Sequence, residues 1–219
     1  MPVSLLDTAA LLRFHEKACD AFFAGTTLPT AHTTDALWRA IDDNHGCNMR
    51  LWAQEDLARR QHAPDAEIVA NKRAIDRYNQ ARNDAIERMD EWLLLALGLV
   101  SAESARADAP LVQPGPQARL NSETAGSMTD RLSIIALKCH AMRAQTLRPD
   151  VDDAHRQLCQ GRLARLYEQR QDLANCLDRL LEDTRAGLAW FKVYRQFKMY
   201  NDPAFNPALV AERQGASNG

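Results

Sequence analysis

The prolines of this chain divide it into long segments that can each form a helix. Proline disrupts a helix interior because it lacks the backbone N–H and its ring clashes with the preceding turn. The proline-free intervals are rich in Ala, Leu, Arg, Glu and Gln, and their apolar residues recur at helical spacing. They predict an all-α fold. These intervals are 30–63, 65–109, 117–148 and 150–202.

The expected architecture is an elongated bundle of five or more helices within one helical domain, 1–219. The third predicted helix spans roughly 50 Å at 1.5 Å per residue, which favours an elongated bundle over a compact packing. Glycine and three prolines predict a long loop over 98–122 between the third and fourth helices, and 203–219 is expected to be a mostly irregular tail. The helices are predicted near 5–24, 34–61, 65–97, 125–147 and 151–186.

Composition and charge exclude several classes of protein. A formal net charge of −2 gives no electrostatic reason to expect a nucleic-acid partner. The longest apolar run, 92–100, is about half of the ~20 residues that a membrane span requires. Five cysteines occur without a CxxC pair, and no signal peptide is recognised, so we expect a cytoplasmic protein with free thiols.

The common motifs of nucleotide and metal enzymes do not occur. The sequence has no GxGxxG, Walker loop or GxSxG, and no HExxH or ExxH. These absences argue against dinucleotide binding, P-loop hydrolysis, α/β-hydrolase chemistry and a ferritin-like di-iron centre. The function must therefore be sought in the placement of polar residues.

Polar residues share a face of the second helix with apolar ones. At 100° per residue, Asn48, Glu55, Asp56 and Arg59 lie in one sector with Trp52. One interpretation is that this end of the helix meets solvent and that Arg59 simply pairs with Glu55 one turn away. Against it, a tryptophan between the polar residues indicates burial.

The third helix repeats this pattern. Arg82 lies in the middle of its apolar sector, while Asn79, Asn83 and Asp90 lie on one flank. Asparagine lowers helix propensity, so two of them on an inward flank are poorly explained by solvation alone. We predict a buried polar network whose members satisfy one another.

The fourth helix is apolar almost all round and is predicted to be the most buried. It nevertheless carries Ser127, Asp130, Arg131 and Lys138. Charges on a buried helix require partners from other helices. Just upstream, NSETAGS offers Ser122 or Thr124 as an N-cap, at an end whose free amides suit an anion.

The aromatic and basic segment after the fifth helix is expected to cover one end of the bundle. Lys198, Tyr200, Asn201 and Asp202 would then face inward. Together with the residues above, they complete the candidate ligand-binding set: Asn48, Glu55, Asp56, Asn79, Arg82, Asn83, Asp90, Ser127, Asp130, Arg131, Lys138, Lys198, Tyr200, Asn201 and Asp202.

No metal or other cofactor is predicted with certainty, but Mg²⁺ has secondary candidates. Glu87 and Asp90 form an ExxD on the third helix, and Glu55 and Asp56 lie on the second. Carboxylates from two facing helices hold Mg²⁺ in all-helical phosphohydrolases. The companion ExxE that such enzymes carry is missing.

Four segments carry a family resemblance: LWAQEDLAR (51–59), KRAIDRYNQARND (72–84), NSETAGSMTDRLSIIALK (121–138) and YRQFKMYNDPAFNP (194–207). With them the chain resembles a bacterial family known only as domain of unknown function number 4254. That resemblance implies a single domain and no established activity. Members of the family lie near genes for cell-envelope glycosyl transfer, which implies a link to glycan synthesis.

Two classes of function remain open. In the first, the polar cluster binds a small phosphorylated or sugar-nucleotide ligand, with a Mg²⁺-dependent phosphohydrolase as an alternative within that class. In the second, the cluster is purely structural, and the protein is a scaffold that binds a protein partner.

Overall fold

A computed structural model describes residues 5–26, 35–197, 199 and 202–217. The described residues form seven helices and one pair of very short strands, which confirms the all-α prediction. The elements are α1 (Thr8–Phe23), α2 (Ala36–Ala58), α3 (Asp65–Ala96), α4 (Ala102–Ala105), β1 (Arg119–Leu120), α5 (Ala125–Thr146), α6 (Asp153–Arg185), β2 (Ala189–Trp190) and α7 (Pro207–Ser217).

The long helices form two hairpins with α5 at the centre. Helix α2 packs along α3, and α5 packs along α6. Helix α5 also contacts α1, α2 and α3, and half of its 22 residues are buried. It is therefore the central helix, as its apolar sequence predicts. The core around it includes Leu93, Leu132 and Leu177, which are all fully buried.

Glycine ends the two longest helices. At the end of α3, Gly98 has φ of 70°, a left-handed conformation that glycine adopts without a steric penalty. This turns the chain so that the Leu99 amide donates to the Leu94 carbonyl at 2.9 Å and the Gly98 amide to the Leu95 carbonyl at 3.0 Å. Gly187 ends α6 in the same way, with φ of 72°.

The chain after α6 lies in an extended conformation across the bundle. Strand β2 pairs in parallel with β1, with Arg119 opposite Ala189. Farther on, the Arg195 guanidinium contacts Glu87 at 3.0 Å and Glu91 at 2.5 Å, both on α3. It also donates to the backbone carbonyls of Ala105, the last residue of α4, and of Ala107, which follows it. Arg195 thus fastens the C-terminal segment and the long loop to α3.

The prediction of an irregular tail over 203–219 is corrected by helix α7, Pro207–Ser217. Proline is compatible with the first helical turn, since its missing N–H would have no partner there. The residues that follow, ALVAERQ, are mostly good helix formers. The predicted loop over 98–122 also contains α4 and β1.

The sequence also predicts that no segment is long and apolar enough to span a membrane. Among the described residues, none of the helices combines the length and the apolar character required to cross a bilayer.

Candidate functional site

A cavity of about 360 Å³ opens between α2, α3 and α5. Its wall contains five of the residues expected from the sequence, namely Asn48, Glu55, Asp56, Asn79 and Arg82. The other residues that line it are Leu51, Trp52, Arg59, Ile134 and Leu137. The structure thus brings polar groups from two helices to one opening, with apolar side chains from α5 opposite.

Arg82, in the wall of this cavity, is paired with a buried aspartate behind it. Arg82 of α3 donates to Asp130 of α5 through Nε at 2.8 Å and through Nη2 at 2.5 Å. The Asp130 side chain is 4% exposed and the Arg82 side chain 26%. The hydrogen bond to Asp130 raises the pKa of Arg82 above its usual value. This bidentate pair holds the guanidinium plane in place.

Two asparagines of α2 complete the partners of Asp130. The Nδ2 atoms of Asn44 and Asn48 each donate to Asp130 Oδ1 at 2.9 Å. Asn48 also donates to Ser133 Oγ at 2.9 Å. Asp130 therefore receives donors from two helices, as a buried carboxylate requires.

The polar contacts continue from Ser133 into the core. Ser133 Oγ lies 2.7 Å from His45 Nδ1, and His45 Nε2 lies 3.1 Å from the His15 carbonyl. Because a carbonyl only accepts, Nε2 carries the proton, and Ser133 therefore donates to Nδ1. Burial lowers the pKa of His45 to about 4 and that of His15 well below its usual value. Both imidazoles are neutral at physiological pH.

This serine and histidine resemble a nucleophile and its base, but they have no access to solvent. Ser133 and His45 are both fully buried, and neither lines the cavity. A catalytic serine requires an opening through which a substrate reaches its oxygen. The pair therefore belongs to a polar layer that joins α2 to α5. We name this set of residues, Asn44, His45, Asn48, Arg82, Asp130 and Ser133, the polar layer.

A second buried carboxylate, Asp90, lies away from the cavity. It is about 12 Å along α3 from Arg82 and accepts a hydrogen bond from the backbone amide of Gly126 at 2.6 Å. The Thr124 side chain also bonds to it. Burial raises the pKa of Asp90 to about 7, although these two hydrogen bonds act in the opposite direction. Asp90 thus caps the N-terminus of α5 from another helix.

Glycine allows this close approach of α3 to α5. A Cβ atom on Gly126 would lie 2.6 Å from the carbonyl oxygen of Ile86 and 2.8 Å from Asp90 Oδ1. Thr124 is the N-cap of α5, as one of the two expected candidates, and its hydroxyl accepts from the Ser127 amide at 3.1 Å. The expected ligand residues Asp90 and Ser127 therefore hold the start of α5.

Four other expected residues lie elsewhere. Lys138 is exposed and lines a different cavity, between α5 and α6. Arg131 is exposed and paired with Glu123 at 2.5 Å. Asn83 donates to Gln196 at 3.2 Å, and Asp202 accepts from the Ala204 amide at 2.7 Å. None of these four lines the cavity between α2 and α3. Lys198, Tyr200 and Asn201 lie outside the described residues.

The secondary Mg²⁺ candidates do not gather into one site. Glu55 pairs with Arg59 at 2.6 Å, and Glu87 pairs with Arg195. Asp90 is enclosed at the start of α5, so only Glu55 and Asp56 share the cavity. Over the ranges that the structure describes, no group of three or more His, Cys, Asp or Glu residues is arranged to hold a metal ion.

The candidate set predicted from the sequence omits four members of the buried polar contacts. They are Asn44, His45, Ser133 and His15, all fully buried. The spacing contained a signal for three of them. Asn44 and His45 lie four and three residues before Asn48, on the same helix face. Ser133 likewise lies three residues after Asp130. His15 has no such signal, and both of its ring nitrogens lack a hydrogen-bond partner among the described residues.

Comparison with known proteins identifies a family and no activity. No curated protein and no solved structure matches the chain. A family model described as "Protein of unknown function (DUF4254)" matches residues 38–193. The match includes all but the first two residues of α2, the helices α3 to α6 and the whole polar layer, but it ends before the segment 194–207. Since it covers more than half of the chain, the protein belongs to the DUF4254 family.

Proposed function

We propose that this protein binds a small polar ligand, of the sugar-phosphate or sugar-nucleotide class, in the cavity between α2, α3 and α5. The observation that carries the proposal is the fixed guanidinium of Arg82 in the cavity wall. Its Nε and Nη2 are occupied by Asp130, and Nη1 makes no hydrogen bond within the described part of the chain. A preorganised donor of this kind favours a charged or hydroxyl-bearing ligand.

The other walls suit a ring with hydroxyl groups. Trp52 is half-buried beside the opening and offers a flat apolar surface on which a sugar ring or a base can stack. Asn79 makes no side-chain hydrogen bond to the described residues, and the Asp56 carboxylate is exposed at the rim. Both are available to hydroxyl groups. About 360 Å³ is also within the ~300–1,000 Å³ of typical ligand sites.

The proposed ligand class agrees with the link to cell-envelope glycan synthesis that is expected for the family. Sugar phosphates and sugar nucleotides are intermediates of glycan synthesis, so a binding protein for them fits a role in making the cell envelope. The phosphohydrolase alternative has less support, because only Glu55 and Asp56 of its four carboxylates reach the cavity. The scaffold alternative predicts that no small ligand changes the stability of the protein.

Calorimetric titration with glucose 1-phosphate, UDP-glucose, UDP and glucose, each with and without Mg²⁺, tests the proposal. We expect at least one of these probes to bind and to raise Tm, since a ligand at ~100 times its Kd adds about 2.7 kcal/mol to the free energy of unfolding. Failure of all four probes to bind would contradict the proposed ligand class.

A matched pair of variants locates the site. Asn79→Ala removes an amide in the cavity wall, and Gln80→Ala removes a similar amide that does not line it. We expect Asn79→Ala to weaken binding about 5- to 10-fold, as for the loss of one hydrogen bond, and Gln80→Ala to leave Kd unchanged. Equal affinities for both variants would place the ligand elsewhere.

A further inference from the structure

A second cavity, of about 410 Å³, lies between α5 and α6 on the other side of Trp52. Three cationic side chains line it: Lys138 on α5 and Arg162 and Arg165 on α6. None of the described residues that line it carries a carboxylate. The cavity therefore has a positive charge that the cavity between α2 and α3 lacks.

Among the described residues, these three cations lack the carboxylate partner that several other basic residues of the same hairpin have. Arg143, Arg148 and Arg156 each pair with a carboxylate, at 2.5 to 2.7 Å. Within the described ranges, Lys138, Arg162 and Arg165 have no such ion pair. Arg162 and Arg165 are three positions apart on one helix, where like charges repel each other. An anion held between them would relieve this repulsion.

The rest of the cavity is mainly apolar. Ala141, Met142 and Leu166 form its apolar surface together with Trp52, and the amides of Gln145 and Gln169 lie among the lining residues. A cavity that combines apolar surface with cations favours a ligand that has an apolar body and an anionic group. A bare inorganic anion would leave the apolar surface unused.

We propose that this cavity binds a phosphate ester whose organic part is apolar or aromatic. Phosphate suits the site because it carries up to two negative charges and several acceptor oxygens, which two guanidinium groups and an ammonium can share. The apolar part lies against Met142, Leu166 and Trp52. Trp52 lines both cavities, but none of the three cations lines the cavity between α2 and α3, so variants of these cations test this proposal separately from the first.

The test titrates the 219-residue chain with 1-naphthyl phosphate, and separately with its two parts, inorganic phosphate and 1-naphthol. We expect the ester to bind at least about tenfold more tightly than either part, because it combines charge pairing with apolar burial. Binding should weaken as salt is raised, since the cations are exposed. Equal or weaker binding of the ester, or no binding at all, would overturn the proposal.

Variants on the same helix identify the site. Arg162→Gln with Arg165→Gln should raise Kd for 1-naphthyl phosphate about tenfold or more, because both proposed guanidinium partners are lost. The matched control is Arg179→Gln, also on α6, whose side chain is 83% exposed and does not line the cavity. An unchanged Kd in the double variant would overturn the proposal even if the ester binds. The Asn79→Ala variant should bind the ester normally, so the two proposals can fail separately.

A vesicle arm distinguishes the two sources of such an ester. Phosphatidic acid in phosphatidylcholine vesicles presents the same chemistry at a membrane surface, and vesicles of phosphatidylcholine alone are the control. Binding of both 1-naphthyl phosphate and the acidic vesicles, each lost in the double variant, would identify a lipid phosphate as an accessible ligand. Binding of the soluble ester alone would identify a soluble phosphate ester. If the double variant still binds both the ester and the acidic vesicles, the proposed site is wrong.

Discussion

Asp90 and Asp130 are both buried where α3 packs on α5, but their partners differ in kind. Asp130 receives two hydrogen bonds from the Arg82 guanidinium and one each from Asn44 and Asn48. Asp90 accepts hydrogen bonds from the backbone amide of Gly126 and from the hydroxyl of Thr124. One carboxylate has a fully charged partner, and the other has only dipoles.

The difference shows that the structural role of a buried carboxylate depends both on its burial and on the charge of its hydrogen-bonding partner. A helix N-terminus supplies about half a positive charge, which is less than a guanidinium supplies. Burial therefore prevails at Asp90 and raises its pKa to about 7. Asp130 joins α2, α3 and α5 beside a cavity, while Asp90 holds the end of one helix. Only the first arrangement leaves a fixed charged group at an opening.

The largest effect is expected from removing the charged partner of Asp130. Arg82→Ala leaves a buried carboxylate without its counter-ion, and we expect the free energy of unfolding to fall by about 3–5 kcal/mol. Urea unfolding measures it. Arg77→Ala, at an exposed position on the same helix, should change stability by less than about 0.5 kcal/mol. Combining Arg82→Ala with Asp130→Asn should restore part of the loss, since no buried charge then remains. A loss no larger than that of Arg77→Ala would show that the pair is not stabilising.

A pH-dependent effect is expected at Asp90. Its pKa is about 7 in the folded protein and about 3.9 in an unfolded chain. Between these pH values the folded protein holds a proton that the unfolded chain has lost, so the free energy of unfolding decreases as pH rises from 4 to 7.

Asp90→Asn removes this titration and keeps an acceptor for the Gly126 amide. Its stability relative to the native protein should therefore increase by roughly 3–4 kcal/mol between pH 4 and pH 8. Urea unfolding at several pH values measures the difference. Gln80→Ala, on the same helix, removes no titratable group and should give a difference that does not vary with pH. A flat difference for Asp90→Asn would show that this carboxyl is ionised throughout.

A smaller loss is expected from Gly126→Ala. The added methyl group would overlap the Ile86 carbonyl and Asp90, and relieving the overlap by separating α3 from α5 should lower the free energy of unfolding by about 2–3 kcal/mol. Gly161→Ala is the matched control, because its Cβ has open space and lies in the interior of α6. That change should raise stability by about 0.5–1 kcal/mol. Thermal and urea unfolding of both variants decide whether the close approach exists.

Much of the fold could be predicted from the sequence. The prolines and the periodicity place the five long helices within a few residues, and Thr124 is correctly predicted as a possible cap of α5. Helix α7 was missed because a proline and turn-forming residues precede its good helix formers. The site was predicted less completely. The sequence indicates that Arg82 and Asp130 each need a partner, because each is a charge on an apolar helix face. It does not show that they pair with each other.

The sequence by itself determined which residues share a helix face, because that depends only on a rotation of 100° per residue. Tertiary structure alone decided which faces meet. Arg82 and Asp90 are both polar residues of α3, but they lie about 12 Å apart along it, so one reaches Asp130 and the other the Gly126 amide. Lys138 and Asp130 share a sector of α5. Lys138 nevertheless lines a separate cavity, because α6 packs along this side of α5. Helix phase is local, whereas the opposing surface is set by packing across residues far apart in the chain.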